Sequence, residues 1–119
     1  ARNVGYAALN GAQEVPANVS TATGAGTLVI DPATRAVISG TVVTTGIATI
    51  NPSHIHTGAI GIGGPPAINL TDAGGGVLNV PAGTLMTAAQ LKSFKAGNLY
   101  FNIHSEASTG GEIRGQILR

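Results

Sequence analysis

Two alternating segments near the C-terminal end constrain this chain more than anything else in it. In Leu99-Tyr100-Phe101-Asn102-Ile103-His104 every second residue is apolar, and Ile113, Gly115 and Ile117 alternate with Glu112, Arg114 and Gln116. Successive side chains of a strand project to opposite faces, so this two-residue period predicts strands with one apolar and one polar face. Between them, residues 105–111 end in Thr109-Gly110-Gly111 and predict the turn of a hairpin. One register keeps like with like. It sets His104 opposite Glu112, Ile103 opposite Ile113, Asn102 opposite Arg114, Phe101 opposite Gly115 and Tyr100 opposite Gln116. A slip of one residue would mix the two faces. Phe101, Ile103, Ile113 and Ile117 are therefore expected in the core. His104 and Glu112 become neighbours on the polar face, where Glu112 and Arg114 would form at most a surface ion pair.

The rest of the chain repeats the theme of short β-like runs cut by turn residues. Strands are expected over residues 4–9, 26–30, 36–44, 49–56, 67–70 and 76–80. Asp31-Pro32-Ala33-Thr34-Arg35 predicts a hairpin turn, with Pro32 presetting its φ. Residues 58–66 form a glycine-rich loop, and 72–75 serve as a connector. One helix is expected over 88–96. Thr87 is its N-cap, Gly97 supplies the left-handed residue beyond its end, and Leu91 and Phe94 share a face that docks on the sheet. The expectation is one all-β domain over residues 1–119: an antiparallel, Greek-key-like β-sandwich of about seven or eight strands with one short α-helix.

Composition narrows the function classes. Only 9% of the 119 residues are charged and the formal net charge is +1, with Arg2, Arg35, Lys92, Lys95, Arg114 and Arg119 in no run. Nucleic-acid binding needs a basic stripe, so that class is set aside. With 43% apolar residues the chain is no disordered tail. A solvent face so poor in charge is open to two readings: a monomer coated with Thr and Asn, or association with copies of the chain or with an extracellular protein partner. There is no Cys, so no disulfide, thiolate site or blue-copper centre is available. No apolar run approaches the roughly 20 residues that span a bilayer. The start at Ala1 suits a mature chain released from a signal peptide. No catalytic residue is assigned. His104 and Ser105 are strand neighbours facing opposite ways, a poor general-base pair, and the loop at 58–64 lacks the lysine and helix of a phosphate-binding loop.

The chemistry-bearing residues are the three histidines. In His54-Ile55-His56 the two imidazoles project to one side of a strand while Ile55 enters the core. Such a pair offers two ligands to one ion, and His104 on an adjacent polar face would complete a three-histidine set. Imidazole nitrogen serves copper, zinc, iron and nickel. His54, His56 and His104 are the expected metal ligands, with Glu112 as an optional ligand or a partner to a ligating imidazole. The alternative is that these histidines merely steady a polar face.

Three stretches resemble the CHRD (chordin-type) domain: Leu9-Asn10-Gly11-Ala12-Gln13-Glu14-Val15-Pro16; Ser53-His54-Ile55-His56-Thr57-Gly58; and residues 99–104 followed by Gly111-Glu112-Ile113-Arg114-Gly115-Gln116-Ile117. The helix beginning Thr87-Ala88-Ala89-Gln90-Leu91 is similar too. The resemblance implies a secreted β-sandwich, extracellular or periplasmic, of the kind found in bacterial and archaeal proteins. It does not imply the growth-factor binding of chordin, whose cysteine-rich modules have no counterpart here. The expected function is a secreted metal-binding module, with a copper ion preferred and a zinc ion as the alternative. A non-catalytic self-associating module and a superoxide-dismutase-like redox enzyme are the competing readings.

Overall fold

The structure, a computed structural model, describes residues 3–119; Ala1 and Arg2 lie outside the described residues. Three long strands come first: β1 (Asn3–Asn10), β2 (Thr23–Asp31) and β3 (Ala36–Thr45). They form an antiparallel meander in which the 31–35 turn joins β2 to β3. Arg35 there takes a left-handed φ of 64°, and Asp31 Oδ1 accepts the Ala33 amide at 2.9 Å. Four short strands follow: β4 (His54–Thr57), β5 (Pro66–Asn69), β6 (Thr71–Gly74) and β7 (Val77–Asn79). Helix α1 (Ala88–Ala96) precedes the closing hairpin of β8 (Leu99–Ile103) and β9 (Ile113–Gln116).

Hydrogen bonding links all nine strands in the order β5-β4-β8-β9-β1-β2-β3-β7-β6. The sheet folds back at a thin seam between β9 and β1, held by the Asn10–Arg114 pair and a bridge from Tyr6 to Leu118. Two layers result, and their apolar faces meet. A methyl group added at Gly26 of β2 would lie 2.7 Å from the Phe101 ring of β8, and one at Gly24 would lie 3.2 Å from Ile113 of β9. Leu28, Ile55, Phe101, Ile103, Ile113 and Ile117 have no exposed surface. This is the expected antiparallel two-layer architecture with one short helix, and the expected core face. The β8–β9 register is also the one predicted, from Tyr100–Gln116 through Ile103–Ile113.

Helix α1 follows its local signals. Thr87 Oγ1 accepts the Gln90 amide at 3.0 Å, and Gln90 Oε1 accepts the Thr87 amide at 2.9 Å, so two otherwise orphaned donors are satisfied reciprocally. Gly97 ends the helix at φ 77°. Phe94 is fully buried, while Leu91 is only partly so.

Three expectations need correction. The strand expected over 49–56 begins only at His54, because Pro52 cannot donate to a ladder; ahead of it only Ile50 makes a lone bridge, to Ser105. The expected connector at 72–75 is largely a strand: β6 pairs with β7 at the rim of the sheet. All of β6 is exposed, so no apolar alternation announced it. The third correction matters most. The polar face of β8 and β9 does not meet solvent: Tyr100 is 4% exposed, Asn102 4%, Arg114 2% and Gln116 6%. Two connections cover it. From the first, Gln13 Oε1 accepts the Gln116 amide at 3.2 Å and Glu14 Oε2 accepts from Asn102 Nδ2 at 2.7 Å. From the second, Gly58 O accepts from Gln116 Nε2 at 2.7 Å and Ala59 O accepts from Arg114 Nη2 at 2.9 Å. The molecule therefore has an apolar core between its layers and a polar one outside β8.

Candidate metal centre

Strand β4 lies against β8 in antiparallel register, His54 opposite Asn102 and His56 opposite Tyr100. Ile55, opposite Phe101, turns into the apolar core, so alternation turns both imidazoles to the polar face. His104 stands one residue beyond the end of β8. Its backbone N–H donates to Ser53 Oγ at 2.9 Å and its carbonyl accepts from the Asn51 amide at 3.0 Å. These bonds draw the strand end towards the start of β4. The ring centres of His54 and His56 are 5.4 Å apart, those of His54 and His104 5.4 Å, and those of His56 and His104 5.9 Å.

Ring orientation is set from outside the cluster. His56 Nδ1 lies 2.9 Å from Gly64 O, and His104 Nδ1 lies 2.9 Å from Thr109 O. A carbonyl only accepts, so each Nδ1 carries the proton and each Nε2 of the neutral ring presents a lone pair. Those two Nε2 atoms and His54 Nδ1 are buried without any hydrogen-bond partner. Buried polar atoms in folded proteins almost always have one, so three orphans in one place call for an explanation. They point to each other's neighbourhood: one ligand atom from each ring lies within 4.8 Å of the other two. Three such residues could hold a metal ion, and neutral imidazole is the ligating form. Burial above all, with repulsion from His104, pushes the His54 pKa below its ordinary value. Burial likewise lowers that of His56, although the Gly64 bond pulls it the other way.

Tyr100 links the site to its covering loop. Its hydroxyl accepts the Gly64 amide at 3.0 Å, and its ring stacks on His56 at 5.1 Å between centres. Gly64 approaches so closely that a Cβ there would overlap the Thr57 carbonyl. The residues holding the imidazoles, Gly64, Thr109 and Tyr100, escaped sequence reasoning. A backbone carbonyl carries no residue-type signal, and Tyr100 read simply as a polar-face residue.

The structure brings together His54, His56 and His104 but leaves Glu112 out. Position 112 lies just past the β8–β9 ladder, and its side chain turns away from the rings. Its two carboxylate oxygens accept from Ser20 Oγ at 2.6 Å and Ser105 Oγ at 2.5 Å. The far nitrogens of His56 and His104 meet the Gly64 and Thr109 carbonyls, not a carboxylate. Glu112 instead ties the hairpin to the segment before β2. Glu14 is a buried acid on the polar face, where desolvation raises its pKa despite the opposing Asn102 bond. Beside the histidines, Glu14, His56, Gly64, Tyr100, Asn102 and Arg114 line a cleft of about 360 Å³.

No curated protein and no solved structure matches the chain. The family model of the CHRD domain matches residues 6–117, which takes in the three histidines, the capped helix and both covering connections. The chain belongs to the CHRD domain family.

Proposed function

We propose that this domain is a secreted metal-binding module that holds one divalent ion on His54, His56 and His104, with Cu(II) preferred and Zn(II) as the alternative. One observation carries the reading: each of the three imidazoles has a buried nitrogen without a partner, and one ligand atom from each ring lies within 4.8 Å of the other two. Two of them are set in the ligating tautomer by carbonyls bonded to the opposite nitrogen. An ion would satisfy all three at once. Hydrogen bonds among the three rings would leave at least one lone pair facing another. Copper is preferred because an all-nitrogen set without thiolate follows the divalent affinity order, which peaks at Cu(II). Family membership supports an extracellular or periplasmic setting, where free copper is not held down as it is in the cytosol. The role is binding, with no residue of this chain assigned to a chemical step.

The test is calorimetric titration of Cu(II) and of Zn(II), separately, into tag-free protein. Wild type should take one equivalent of ion, more tightly for Cu(II), and His54→Ala, His56→Ala and His104→Ala should each weaken it by at least tenfold. Glu112→Gln should bind as wild type does. Equal binding by all the histidine variants, or none by wild type, would overturn the reading.

A further inference from the structure

Arg114 is a fixed cation that is only 2% exposed. Its Nη2 donates to Ala59 O at 2.9 Å and to Gln116 Oε1 at 3.1 Å, both neutral acceptors. Its guanidinium carbon sits 3.5 Å from the centre of the Tyr100 ring. No carboxylate pairs with it among the described residues. Buried charges in proteins are ordinarily paired or bound to a ligand of opposite sign. This one lines the cleft that also holds the metal-site residue His56, and Asn102 adds an amide to the same wall. The only acid lining the cleft is Glu14, whose Oε2 is taken up by Asn102 Nδ2 at 2.7 Å. Burial raises the Glu14 pKa, against the lowering by the Asn102 bond and by the charges of His104 and Arg114.

We propose that the cleft beside the three-histidine centre is a binding site for a small monoanion of the carboxylate type, held by the Arg114 guanidinium. The planar guanidinium matches a carboxylate fork, and Tyr100 fixes its plane. The proposal extends the metal-binding reading but rests on the cleft's own charge, so the two fail separately. A bound divalent ion adds positive charge next to His56 and should tighten the anion further.

Sodium formate is the probe, titrated into isotopically labelled, metal-free protein against sodium chloride at matched ionic strength. Nuclear magnetic resonance reads the Arg114 Nε–H, the Asn102 side-chain amide and the Gly63, Gly64 and Gly110 amides. Saturable shifts confined to these groups are expected with formate only. Arg114→Gln should weaken them at least tenfold, Arg114→Lys should retain part of the affinity, and Glu14→Gln should tighten binding by removing a like charge. Linear shifts equal in the two salts would overturn the proposal. So would loss of the fold in Glu14→Gln, which would make Glu14 the true partner of Arg114. Formate binding by a protein that takes no Cu(II) or Zn(II) would sink the metal reading alone; Zn(II) binding without formate saturation would sink this proposal alone.

Discussion

The meeting of the two layers at Phe101 and Gly26 can be tested by a double-mutant cycle. Phe101 has no exposed surface, and its cross-strand neighbours are Ile55 on β4 and Gly115 on β9. Its Cε2 and Cδ2 lie 2.7 and 2.9 Å from where a Cβ on Gly26 would be. Phe101→Ala removes a buried ring and leaves a cavity between the layers, which should cost about 3–5 kcal/mol. Gly26→Ala alone forces a methyl into that ring and should cost about 1–3 kcal/mol from overpacking. Gly26 is not among the glycines at positive φ, so alanine meets no backbone strain there. With the ring gone, the closest remaining neighbour of the methyl is Val42 Cγ2 at 3.3 Å, which can shift into the space the ring has left. The methyl should then stabilise by about 0.4–1 kcal/mol, since alanine also restricts the unfolded chain. The coupling energy should therefore be about 1.4–4 kcal/mol, at or above the range usual for residues in contact. Equilibrium urea denaturation of the four proteins measures it, provided the m-values stay constant. Additivity within about 0.5 kcal/mol would mean that β2 and β8 do not face each other at this point.

Two further outcomes concern the histidines. Gly64→Ala should lower metal affinity roughly 10–100-fold, because the displaced loop takes its carbonyl away from His56 Nδ1; titration showing wild-type affinity would refute the supporting role of that carbonyl. Metal-free protein should lose stability as pH falls below about 6.5, since the unfolded chain protonates His54 and His56 before the folded one does. That loss should continue down to their depressed pKa values. Glu14 acts with the opposite sign: its raised pKa makes the folded state the better proton binder, so its contribution to stability shrinks as pH rises from about 4.5. Denaturation midpoints across pH 5–8 check the balance, and a profile unchanged by His54→Ala with His56→Ala would refute the histidine assignment.

Much of the site was legible because its chemistry rests on alternation. His54-Ile55-His56 fixes which side each residue faces once it lies in a strand, and the apolar-polar sorting of β8 against β9 allows one register only. Local signals sufficed for the helix as well, since Thr87, Gln90 and Gly97 act within one turn of its ends. Glu112 was misplaced by the same logic carried one residue too far. Beyond Ile103–Ile113 the strands part, and a side chain there follows its hydrogen-bond partners, Ser20 and Ser105, instead of the pleat.

By itself, then, the sequence determined the all-β class, the closing hairpin, the capped helix and the facing of each histidine, all properties set by neighbours a few residues apart. Only the tertiary structure decided that β4 lies beside β8, which is what turns two imidazoles and a distant third into one cluster. It also decided that the connections at 11–15 and 58–64 fold over the polar face. That cover leaves Arg114 2% exposed and helps to bury His56, whose pKa falls with that desolvation. Neither pairing nor cover can be read from local pattern, because both depend on contacts between distant segments, such as His56 with Tyr100 and Gln13 with Gln116.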